Sequence, residues 1–134
     1  MALKLRESLD TNIILRLALR DVPEQCMKIA DLFMRQDVIY EVADLAIIEA
    51  VYVMQKGGNT REQIVDMLSV TLNDFELEYN KALFERVFSM YLACPKLSFN
   101  DCYLSGYAVL NESEPLWTFD RDLAKQSPTA KMVG

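Results

Sequence analysis

Histidine is absent from all 134 residues of the chain. That absence removes the commonest general base and the commonest zinc ligand together, so serine–histidine and cysteine–histidine nucleophile systems are excluded. Cysteine is scarce: Cys26, Cys94 and Cys102 are an odd number without metal-site spacing. They read as reduced thiols in a cytoplasmic protein. Long apolar runs are also missing. No stretch reaches the ~18 residues of a membrane span, and MALKLRESLD at residues 1–10 contains no signal-peptide apolar block. Positive charge is in deficit, with 14 Lys and Arg against 20 Asp and Glu and a formal net charge of −6. The chain therefore lacks the broad basic footprint of proteins that grip nucleic acid by counterion release. A polyanionic ligand would need a local basic patch, a basic partner or bound cations.

What is present is ordinary for a globular protein: 51% hydrophobic and 25% charged residues, read as a single domain over residues 1–134. Without histidine, the chemistry left to the side chains is that of carboxylates. Clustered carboxylates select hard, oxygen-loving ions such as Mg²⁺ or Mn²⁺.

Helix and strand signals alternate along the chain. Residues 3–9 form a strand made polar by Lys4, Arg6 and Glu7. Asp10-Thr11-Asn12 then caps a helix beginning IILRLALR. Pro23 opens PEQCMKIADLFMRQ, with Cys26, Ile29, Ala30 and Phe33 on one stripe. DVIYEV is a short strand, and the next helix runs to Gly57-Gly58. Thr60 and Gln63 make a capping box for TREQIVDMLSVTL. FELEY (75–79) reads as a third strand, and Asn80 caps KALFERVFSMYLAC before Pro95. Asn100-Asp101 opens a helix through about residue 111, PLWTF (115–119) is the last strand, and residues 126–134 form a frayed tail. Strands separated by helices imply a three-layer α/β/α sandwich around a mostly parallel central sheet of four or five strands. Ligands bind such sheets beyond the carboxyl ends of the strands.

Four acids stand out against that frame. Asp10 and Asp120 follow strands, and Asp101 starts a helix. Glu49 lies inside ADLAIIEAVYVM, where its neighbours at helical spacing are Leu45, Ala46, Tyr52 and Val53. None of these can pair with a carboxylate, so a buried Glu49 would need a proton, a distant partner or a metal. Singly each acid has a plain explanation as a helix cap, a turn or a surface residue. Gathered in one pocket they would repel one another unless a divalent cation neutralised them.

The segments LDTNIILRL, IIEAVYVM, FNDCYLSGYA and LWTFDRDLA, in that order, resemble the PIN domain family, and in particular its VapC-like toxin ribonucleases from toxin–antitoxin pairs. The resemblance spans essentially the whole chain, and RESLD departs from the apolar first strand usual in the family. It implies that Asp10, Glu49, Asp101 and Asp120 hold Mg²⁺ or Mn²⁺ and cleave RNA, with Asn12, Thr118 and Asp122 in support. It further implies a homodimer and a small cognate antitoxin. Arg16 and Arg121 are candidate substrate contacts, and the segments around Leu32–Phe33 and Phe84–Tyr91 are candidate interfaces, with plain core packing the favoured reading for most of those side chains. The competing readings are a non-catalytic PIN-like module that binds RNA or protein, and a metal-dependent nuclease or phosphatase acting on another substrate.

Overall fold

The computed structural model of the chain describes residues 3–134, so the first two residues of the expected domain lie outside it. The packing divides into two compact units, one ending at Tyr79 and one spanning Asn80–Gly134.

In the first unit, strand β1 (Leu5–Leu9) leads into helix α1 (Thr11–Leu19), followed by α2 (Pro23–Phe33), β2 (Val38–Val42), α3 (Asp44–Lys56) and α4 (Arg61–Asp74). β1 and β2 pair in parallel, Leu5 opposite Val38 through Leu9 opposite Val42. The strand period puts Leu9, Tyr40 and Val42 on one face, where all three are buried. Helix α1 packs against α3 and α4, burying Ile14 and Leu15 with Ile47, Ala50 and Val51 of α3 and Ile64 and Leu68 of α4. Both bonds of the Thr60–Gln63 capping box are made.

The polar first strand has a structural explanation. On the face opposite Tyr40, Arg6 donates from Nε to Glu41 Oε1 at 2.6 Å, and its Nη2 bonds Glu78. On the other side Arg35 makes a two-pronged bond to Glu7, at 2.8 and 3.0 Å. The hydrogen bonds that Arg6 donates to Glu78 and then to Glu41 raise its pKa, and those to Glu7 do the same for Arg35. Polar residues therefore suit β1 because this sheet keeps one face in solvent, with the Arg6, Glu41 and Glu78 side chains 49%, 37% and 50% exposed.

One expectation here needs correction. FELEY is not a strand. Helix α4 runs to Asp74 and Glu76 takes a left-handed φ of 53°, which leaves room for a single parallel bridge, Glu41 to Glu78. The sheets of the described residues are short, two parallel pairs, β1–β2 in this unit and a second in the other. The α/β character and the parallel pairing stand as expected.

The second unit contains α5 (Lys81–Ala93), α6 (Phe99–Leu110), β3 (Leu116–Thr118), α7 (Arg121–Gln126) and β4 (Ala130–Met132). α5 and α6 share an aromatic core, in which Phe99 lies 5.1 Å edge-on from Tyr91 and 6.4 Å stacked from Phe84. Phe84, Phe88 and Tyr91 are thus core residues rather than an interface. Gly106 lets the two helices approach, since a Cβ there would sit 2.9 Å from Val87 Cγ2. The tail is not frayed: β4 pairs in parallel with β3, and Ser127, Thr129 and Ala130 are buried. No helix of the described residues is long and apolar enough to cross a membrane.

Candidate functional site

Asp10 follows β1 directly and is the N-cap of α1. Its Oδ1 accepts from the Ile13 amide at 3.2 Å, satisfying one of the helix's open N–H groups. Strand end and helix start thus coincide at this residue. Asn12 sits in the same first turn.

Glu49 reaches the same place from α3. The expectation that it is buried and unpaired is corrected here, because Glu49 is exposed and its Oε2 accepts from the Thr11 hydroxyl at 2.7 Å. The apolar residues around it do not enclose it. α3 buries Ala46, Ile47, Ala50, Val51 and Met54, while Leu45, Tyr52 and Val53, which share the Glu49 side, stay 62%, 57% and 43% exposed.

Asp10, Thr11, Asn12, Leu15, Glu49, Tyr52 and Val53 line one cleft of about 410 Å³. Each carboxylate gives one oxygen to the protein, Oδ1 of Asp10 and Oε2 of Glu49, and keeps a second for a ligand. The cleft residues thus offer two carboxylates, a hydroxyl and an amide oxygen, the donor types a hard divalent cation takes. Among the described residues no group of three or more Asp, Glu or Cys is arranged to hold a metal ion. The cleft supplies a pair of carboxylates and not a complete cage.

Asp101 and Asp120 belong to the second unit. Asp101 is half-buried in the first turn of α6 and does not open that helix. Ser98 is the N-cap, accepting from the Asp101 amide at 3.1 Å. Asp120 is exposed and caps α7, with Oδ1 accepting from the amides of Asp122 and Leu123 at 2.9 and 3.2 Å. Thr118 Oγ1 accepts from the Asp120 amide at 2.9 Å, fixing the turn before the cap. Asp122 and Arg121 are exposed in the first turn of α7.

Arg16 is less free than a substrate contact requires, since its Nη1 lies 3.3 Å from Asp21 Oδ1 and its side chain is 20% exposed. Sequence reasoning missed Thr11, whose position beside the Asp10 cap was a usable signal. It also missed Tyr52, one helical turn from Glu49, whose ring carries Lys56 Nζ at 5.0 Å from its centre.

The family model described as PIN domain matches residues 8–127. No curated protein matches the chain. Among solved structures, the chain is similar to one described as the crystal structure of PAE2754 from Pyrobaculum aerophilum. The two are 19% identical, over 97% of this chain and 84% of that chain, with a TM-score of 0.35. Family membership rests on the sequence match.

Proposed function

The chain belongs to the PIN domain family, and from that premise we propose that it is a metal-dependent endoribonuclease, the toxin of a toxin–antitoxin pair. The observation that carries this reading is the cleft in which Asp10 and Glu49, from α1 and α3, meet with Thr11 and Asn12. Asp10 and Glu49 would hold Mg²⁺ or Mn²⁺ there, and the ion would supply activation of water and neutralisation of charge at the scissile phosphate. The protein's own part is to bind and orient. The helix cap fixes Asp10, and the Thr11 hydroxyl fixes the Glu49 carboxylate. Asp101 and Asp120 join the acid set on the strength of their sequence motifs, with Thr118 and Asp122 as supporting residues and Arg121 as a substrate contact. Arg16 contributes to substrate binding only on releasing Asp21.

A toxic nuclease needs an inhibitor. The cognate antitoxin places an acid-seeking arginine over the carboxylates, and a homodimer brings two such clefts to one RNA. One observation favours a second reading, a non-catalytic PIN-like module that binds RNA or a protein. It is the cleft's own lining, in which Asp10 and Glu49 are the acids and Leu15, Tyr52 and Val53 supply apolar and aromatic surface.

The deciding experiment incubates total cellular RNA with wild type, Asp10→Asn and Asp101→Asn, in Mg²⁺, Mn²⁺ or chelator. The proposal expects metal-dependent fragments from wild type and none from either folded variant. Equal cleavage in chelator would contradict it, as would an inert wild type in every metal.

A further inference from the structure

The second unit holds a cavity that the nuclease reading does not use. About 270 Å³ in volume, it lies between α5, α6 and the turn joining α7 to β4. Its wall includes Ser105 of α6 and Ser127 of the turn, 2% and 1% exposed. Among the described residues, neither Oγ has a hydrogen-bond partner. Leaving one such group unmatched costs roughly 1–3 kcal/mol, and two beside one cavity are expected to have an occupant that satisfies them. Thr129, 7% exposed, adds a third hydroxyl-bearing side chain.

Water would satisfy the hydroxyls as well. Charge separates the two possibilities. The chain carries a net charge of −6, yet no Asp or Glu lines this cavity, and its one charged lining residue is Arg86. Hydroxyl donors on a wall shared with an arginine suit an oxyanion, because a guanidinium offers a fixed fork of N–H groups and serines add short bonds to the remaining oxygens. The cavity is smaller than the ~300–1,000 Å³ of typical drug-sized sites, so the occupant is compact.

We propose that this cavity binds a phosphoryl group, free or on a small molecule, through Arg86, Ser105 and Ser127. The site is independent of the acid-lined cleft, and its success or failure leaves the nuclease reading untouched.

The test titrates inorganic phosphate into the isotope-labelled full chain at constant ionic strength, following backbone amides by NMR. Saturable shifts are expected at Gly106 and at residues 127 and 129. They should weaken about tenfold in Arg86→Gln and in Ser127→Ala, the loss of one charge-assisted bond. Arg86 is exposed, so its variant tests the proposal even should Ser127→Ala fail to fold. A parallel titration with ribose 5-phosphate distinguishes the sources. Tighter binding than phosphate identifies a phosphomonoester, and weaker binding identifies the free ion. Shifts that do not saturate, or that persist unchanged in Arg86→Gln, would overturn the proposal in favour of bound water.

Discussion

Thr11 donates its hydroxyl hydrogen to Oε2 of Glu49 across 38 positions of sequence, at 2.7 Å. The bond joins the first turn of α1 to the middle of α3 and sets the direction in which Glu49 presents its remaining oxygen. Removing it with Thr11→Val should reduce RNA cleavage about 10- to 100-fold, the usual cost of losing a residue that orients a ligand. Thr11→Ser keeps the hydroxyl and should restore most of the rate. If valine and serine behave alike, the hydroxyl has no positioning role.

Helix α4 rests on its capping box. Thr60→Ala leaves the Gln63 amide without its acceptor and should cost about 1 kcal/mol. In a domain of this size that lowers Tm by about 4 °C. Thermal unfolding followed by circular dichroism measures it, and an unchanged Tm would mean that the cap contributes nothing.

Gly106 should resist replacement. An added Cβ would meet Val87 Cγ2 at 2.9 Å and Leu83 Cδ1 at 3.3 Å, and a β-branched valine in a helix has little freedom to yield. Overpacking of this kind costs about 1–3 kcal/mol, against roughly 1 kcal/mol gained in helix propensity. Gly106→Ala is therefore expected to lose about 1 kcal/mol in denaturant unfolding, and adding Val87→Ala should recover part of it. A more stable Gly106→Ala would show that α5 and α6 are not in close contact there.

The charged face of β1 predicts a salt response. Arg6→Gln should lower Tm in dilute buffer, and the difference should shrink towards 1 M salt, where the screening length is about 3 Å. Glu78, Glu41 and Glu7 raise the pKa of guanidinium groups that are already strongly basic. A raised folded-state pKa stabilises below the unfolded value and is lost only as pH climbs through the folded one. The arginine contribution is therefore complete at neutral pH and fades only in strong alkali. A Tm difference insensitive to salt would contradict the ion-pair account.

Much of the local structure was legible because its signals are local. The Thr60–Gln63 box, the Asp10 cap and the alternation in DVIYEV each depend on residues within a few positions. What sequence could not supply was tertiary. Glu49 has no partner at helical spacing on α3, and the one it does have, Thr11, lies on α1. FELEY has strand composition, yet Phe75 is taken as the C-cap of α4 and a left-handed Glu76 follows it. RDLAKQ and the segment after it were too short and polar to announce α7 and β4, which are held by the Asp120 cap and by pairing with β3. Of the four acids, Asp10 and Glu49 line one cleft. The assignment of Asp101 and Asp120 rests on motif order.

The most direct measurement is a titration of Mn²⁺ into the isotope-labelled full chain, reading paramagnetic broadening of backbone amides. Saturable broadening should concentrate at residues 10–13 and 48–50, and it should disappear in Asp10→Asn and in Glu49→Gln while both variants keep the wild-type fold. Broadening that is absent at those amides, or that survives both substitutions, would contradict a divalent cation held by Asp10 and Glu49.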